Sequence, residues 1–134
     1  MTSPARVVDA SALLALLRAE EGGPRVRDAL QDGALISTVN WAEVLSRLVQ
    51  MGGDPLEVTS RALPFAELGL LSLVPFDDEQ ARETARLRMK TRGLGLSLAD
   101  RAALALGRLR GLPVLTADRA WRSLRLAVTI EVIR

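Results

Sequence analysis

Apolar positions along the chain keep two alternating rhythms. Short runs bounded by charged or turn-forming residues occur at "ARVVD" (5–9), "ALIS" (34–37), "LLSLVPF" (70–76), "PVLTAD" (113–118) and "AVTIEVI" (127–133), and each reads as a strand. Between them lie longer stretches with helical spacing. "SALLALLRAEE" (11–21) ends at Gly22 and Gly23, and "PRVRDALQD" (24–32) starts on a proline in its favoured first-turn place and stops at Gly33. "TVNWAEVLSRLVQM" (38–51) is closed by Gly52 and Gly53, and "DPLEVTSRALPFAEL" (54–68) is helical with a break at Pro64. "DDEQARETARLRMKTR" (77–92) carries acids in its first turn and bases in its last, matching the helix dipole. "SLADRAALALGRLR" (97–110) is stopped by Gly111, and "RAWRSL" (119–124) reads as a short turn or helix. Strands separated by helices predict an α/β fold: one domain over 1–134, with a central, mostly parallel sheet of about four to five strands flanked by helices.

Composition narrows the chemistry. The 134 residues are 49% hydrophobic, enough for a core and too apolar for a disordered chain. The longest apolar runs, such as "ALLALL" at 12–17, fall far short of the roughly 18 residues of a membrane span. "MTSPAR" has no signal-peptide core behind it, so a cytoplasmic protein without membrane contact is expected. There is no Cys, no His and no Tyr. Their absence excludes disulfides, cysteine nucleophiles, Ser-His-Asp triads, and the thiolate or imidazole sites of zinc and copper. Carboxylates, hydroxyls, amides and arginine remain, a set that suits hard cations such as Mg²⁺ or Mn²⁺.

Four acids stand in equivalent places. Asp9 ends the first strand, and Asp118 directly follows "PVLT". Glu43 lies in the early turns of the helix after the second strand, and Asp100 in the first turn of the helix opened by Ser97. Each has a purely structural explanation: helix caps for Asp9 and Asp118, a capping box for Ser97 with Asp100, and a solvent-facing helix position for Glu43. Together they map to the carboxyl ends of parallel strands, where α/β sheets hold their functional crevice. Two carboxylates ~5 Å apart at an effective dielectric of ~20 repel by about 3 kcal/mol, so four gathered acids need one or two divalent cations. Such a site activates water and stabilises charge on a phosphate. The rest of the chain is basic: with these four set apart, eighteen bases, all arginine except Lys90, face twelve acids, and a basic shell attracts phosphate.

"VVDASALLALL", "ISTVNWAEVL", "LSLADRAALALGRLRGLPVLTADRAW" and the closing "VIR" strongly resemble a PIN-domain ribonuclease of the VapC toxin type, from about Val7 to Arg134. The resemblance implies a Mg²⁺- or Mn²⁺-dependent endoribonuclease, the toxin of a toxin–antitoxin pair, cleaving RNA of the translation machinery (transfer or ribosomal RNA). The family's catalytic and metal-binding acids fall on Asp9, Glu43, Asp100 and Asp118, with Ser11 and Thr116 as supporting hydroxyls and Asn40 as a weaker candidate for that role. It also implies a homodimer and a cognate VapB-like antitoxin whose C-terminal segment lies across the active site.

Arg101, next to the third acid, is expected to be helix surface. Trp41 and Trp121 are expected in the core or a dimer interface rather than stacked on bases. Arg86, Arg88, Lys90 and Arg92 form either a phosphate-contacting strip or a solvated helix end. A receiver-like signalling domain fits poorly: it needs a lysine after a late strand, and Lys90 sits near the end of a helix. The phosphate-loop and dinucleotide glycine patterns both fail. A PIN-type nuclease acting on DNA, or on other RNA outside a toxin–antitoxin system, shares the same metal chemistry.

Overall fold

The computed structural model describes residues 6–54, 56–57, 60, 64–65 and 68–134. Its elements run β1 (Arg6–Val8), α1 (Ala10–Leu17), α2 (Gly23–Gln31), β2 (Ala34–Ser37), α3 (Thr38–Gln50), β3 (Leu71–Val74), α4 (Asp78–Lys90), α5 (Leu98–Arg110), β4 (Val114–Thr116), a 3₁₀ turn (Arg119–Ser123) and β5 (Ile130–Val132). The expected helix over 54–68 lies partly outside the described residues.

The five strands form one sheet in the order β3-β2-β1-β4-β5, every pair parallel. The chain therefore steps outward from β1 through β2 to β3, returns, and fills the other side with β4 and β5. Alternation along the strands sends side chains to two faces. Val8, Ile36, Leu71 and Leu115 join a core with α1, α2 and α3, whereas Val7, Leu35, Val74 and Val114 join a second core with α4 and α5. That division follows from chirality: right-handed crossovers in opposite directions across the sheet lay their helices on opposite faces. The strand order reverses between β1 and β4, which is where a doubly wound sheet opens a crevice at its carboxyl edge.

Strand and helix ends depart from the sequence pattern for physical reasons. β3 and β5 are shorter than their apolar runs because a strand extends only where its neighbour pairs with it: β2 offers Ala34–Ser37 and β4 only Val114–Thr116. Helix α1 stops at Leu17 rather than running to Glu21. Ala19 takes a left-handed φ of 52°, and Ala19 N–H and Glu20 N–H donate to the Leu16 and Ala15 carbonyls at 3.2 and 2.8 Å. This is a Schellman stop with alanine where glycine is usual. Gly107 lets α5 press onto β4, since a Cβ there would lie 2.4 Å from Val114 Cγ2. Among the described residues no helix is long and apolar enough to cross a membrane.

Candidate active site

Every helix that starts at the carboxyl edge of the sheet does so on a polar cap. Asp9 accepts from Ala12 N–H, Ser37 from Val39 N–H, Asp77 from Gln80 N–H and Ser97 from Asp100 N–H. The caps satisfy first-turn amides that have no partner within their helix. Three of the four predicted acids are part of this capping: Asp9, Asp100 through a reciprocal box with Ser97, and Asp118, whose Oδ1 accepts from Ala120 N–H at 3.0 Å. The capping explanations are thus correct, and they leave oxygens over.

Asp9 is the centre of the arrangement. It is 4% exposed, at the junction of β1 and α1 beside the switch point. Its Oδ1 accepts from Ser11 Oγ at 2.7 Å and Ala12 N–H at 2.8 Å, and its Oδ2 from Thr116 Oγ1 at 2.6 Å. The two hydroxyls in turn accept from backbone beyond β4: Ser11 from Ala117 N–H at 2.9 Å and Thr116 from Asp118 N–H at 3.1 Å. A hydroxyl has one proton, and here each gives it to Asp9, so Ser11 and Thr116 lock the carboxylate to the β4 side of the crevice. Burial pushes the Asp9 carboxyl up to about 6; the Asp100 carboxylate adds to the rise, and the donors from Thr116, Ala12 and Ser11 oppose it.

Asp100 therefore lies within electrostatic range of Asp9 although 91 positions separate them. Its Oδ2 accepts from Ser97 N–H at 2.9 Å. Glu43 approaches from α3 through a tie between helix starts: the buried Asn40 donates from Nδ2 to the Ala99 carbonyl at 3.0 Å. Asn40 and Glu43 stand three positions apart on one face of α3, so the tie turns that face toward the residue before Asp100. Glu43 is half-buried and makes no hydrogen bond or ion pair with any described residue. Asp118 is exposed at the same rim.

All donors here are oxygen, which suits Mg²⁺ or Mn²⁺ in kind. Both Glu43 oxygens and one oxygen each of Asp100 and Asp118 have no hydrogen-bond partner among the described residues, and Asn40 Oδ1 is buried without one. No three acidic side chains among the described residues are near enough to be gathered on one ion. The Asp100 carboxylate is thus a minor contributor to the raised Asp9 pKa, and Glu43 and Asp118 follow strands at the same sheet edge, without a closed set of ligands among the described residues.

One expectation is overturned. Arg101 is not helix surface: it is 8% exposed, and its Nη1 donates to the Thr84 carbonyl at 3.0 Å. Residues 101–107 are all buried because α5 is sandwiched between the sheet, α3 and α4. The signal was present in "RAALALG", apolar or small on every side of the helix, which marks a buried helix and not an amphipathic one. Trp121 is 1% exposed and so unavailable for base stacking; Trp41 is partly buried against the α1–α3 core.

Solved structures of the same architecture include a toxin–antitoxin complex from Klebsiella pneumoniae (15% identity, TM-score 0.76, covering 97% of this chain and 98% of that one). A member of the VapBC family of toxin–antitoxin systems, VapBC-5 from Mycobacterium tuberculosis, is 28% identical with TM-score 0.63, covering 98% and 99%. VapC20 from the same organism, a sarcin-ricin loop cleaving toxin, is 14% identical with TM-score 0.69, covering 93% and 99%. None of the curated proteins matches the chain. The PIN domain family model matches residues 6–126, nearly the whole of the fold described above. The chain belongs to the PIN-domain family.

Proposed function

We propose that this protein is a divalent-metal-dependent endoribonuclease and the toxin half of a VapBC-like pair, acting on RNA of the translation machinery. One observation carries the reading: a buried carboxylate, Asp9, held by two hydroxyls at the switch point of a PIN fold and electrostatically coupled to Asp100. A carboxylate buried away from counter-charge is unfavourable, and a cation at the rim offsets that. Asp9 and Asp100 would hold a Mg²⁺ or Mn²⁺ ion, with Glu43 and Asp118 completing its surroundings or orienting the attacking water. When bound, the ion supplies an activated water and stabilises charge developing on the phosphate. Ser11 and Thr116 keep Asp9 ionised by donating to both of its oxygens. Asn40 fixes the α3–α5 spacing that brings Glu43 toward Asp100.

The toxin role, the VapB-like antitoxin and the homodimer rest on the company the fold keeps, which includes toxin–antitoxin complexes. The test is cleavage of transfer and ribosomal RNA by purified protein with Mg²⁺ or Mn²⁺, beside Asp100→Asn. Wild-type cutting that vanishes in a folded Asp100→Asn protein supports the reading; undiminished cutting in that variant removes Asp100 from the chemistry. Induction without antitoxin should arrest growth.

A further inference from the structure

The corner where α4 hands over to α5 holds a cavity of about 440 Å³ lined by Arg88, Arg92 and Arg101, with Thr91, Leu96 and the backbone of the 93–95 turn between them. No carboxylate lines it. Arg101 is the unusual member. The residue is more than nine-tenths buried, its guanidinium forms no ion pair with any described residue, and it donates one hydrogen bond, to the Thr84 carbonyl. A guanidinium carries five N–H donors, so most of its capacity is unspent at the cavity wall. Arg88 likewise forms no ion pair among the described residues, and the contact made by Arg92 is a weak one, from Nη2 to Met89 Sδ at 3.6 Å. Some arginines elsewhere are neutralised: Arg86 and Arg108 share Glu83, and Arg6 and Arg25 share Glu131. Three unneutralised guanidiniums around one cavity, one of them on a buried residue, form a site for an anion with several acceptor oxygens.

We propose that this cavity seats one phosphate of the RNA backbone, flanking the phosphodiester that is cut; the inference rests on the nuclease reading above. Its position supports this. Asp100 and Arg101 are consecutive on α5, about 100° apart around the helix axis, so one turn offers a carboxylate to the acidic rim and a guanidinium to the cavity. A strand running across that helix start meets the two in succession. Arg101 fixes the anion, and Arg88 and Arg92 close over it from the end of α4.

The experiment measures binding of a fluorescein-labelled single-stranded RNA in EDTA, where cutting does not interfere, by anisotropy across a salt series. Arg88→Gln/Arg92→Gln removes two exposed side chains and leaves the buried one in place; Arg27→Gln/Arg110→Gln removes the same charge from exposed sites outside the cavity. The cavity variant should bind roughly tenfold more weakly or worse. Its slope of log affinity on log salt should fall by about 0.7, one phosphate's worth, while the control changes little. Equal losses in the two variants, or an unchanged affinity in the first, would overturn the proposal. So would displacement of wild-type RNA by an acidic peptide as effectively as by an unlabelled oligonucleotide. Cutting by the wild type is scored separately with Mg²⁺ or Mn²⁺: a protein that binds RNA through the cavity yet cuts none defeats the nuclease reading, whereas one that cuts with no cavity effect defeats this inference alone.

Discussion

Asp9→Asn preserves volume at the centre of the site and removes a charge that burial opposes. Folding takes Asp9 from 3.8 to about 6, so the folded chain holds this proton more tightly than the unfolded one. The sign follows: stability contributed by Asp9 is fully present below about pH 4 and is lost as pH rises through about 6. A gap of a little over two units, at 1.36 kcal/mol each, makes the loss about 3 kcal/mol at neutral pH. Asparagine escapes it. The amide brings a pH-independent cost, because Ser11, Ala12 and Thr116 all donate to Asp9 and one amide atom is itself a donor. Thr116 can turn its proton toward Ser11 Oγ, 3.3 Å away, and accept from the amide, which limits the cost to about 1 kcal/mol. Urea melts in EDTA from about pH 4 to 7 should show Asp9→Asn gaining on wild type by about 3 kcal/mol across the range, near 10 °C in Tm, with cleavage abolished. A stability difference that stays constant with pH would refute the reasoning, since every other titrating group is common to both proteins.

Thr116→Val deletes a donor to Asp9 and the acceptor of Asp118 N–H; the fold should lose about 1–3 kcal/mol, and the acidic limb of the pH–rate profile should move upward, because Thr116 is the strongest influence lowering the Asp9 pKa. Ala19→Gly relieves a left-handed φ of 52° in the stop of α1 and should raise stability by about 1 kcal/mol, a few degrees in thermal melts, with activity unchanged. Gly107→Ala puts a methyl 2.4 Å from Val114 Cγ2 and 3.0 Å from the Leu112 carbonyl; denaturant melts should show a loss of about 1–3 kcal/mol.

The elements were readable because apolar rhythm and caps agree at each junction. "ALIS" is β2 to the residue, and Ser97-x-x-Asp100 forms the capping box its spacing suggests. Strand ends were less legible, since β5 is cut to Ile130–Val132 by the length of its neighbour, a property of the sheet and not of residues 127–133. Parallel topology alone predicts the acids at the carboxyl edge, and among the described residues no three of them are gathered on one point. What composition did not reveal is how differently the acids are held: Asp9 buried with both oxygens engaged, Glu43 without a partner among the described residues, Asp118 exposed. The charge of Arg101 points outward in sequence, but the apolar run behind it decides; residues 101–107 are all buried, and a lone arginine does not turn the helix outward.

A divalent ion shared at that rim is tested most directly by anomalous scattering from crystals grown with Mn²⁺. A peak bridging the Asp9 and Asp100 carboxylates, with Glu43 or Asp118 drawn toward it, is the predicted result. Crystals grown above the Asp9 pKa of about 6, with the rim clear of lattice contacts, that show Mn²⁺ elsewhere, or nowhere, would contradict it.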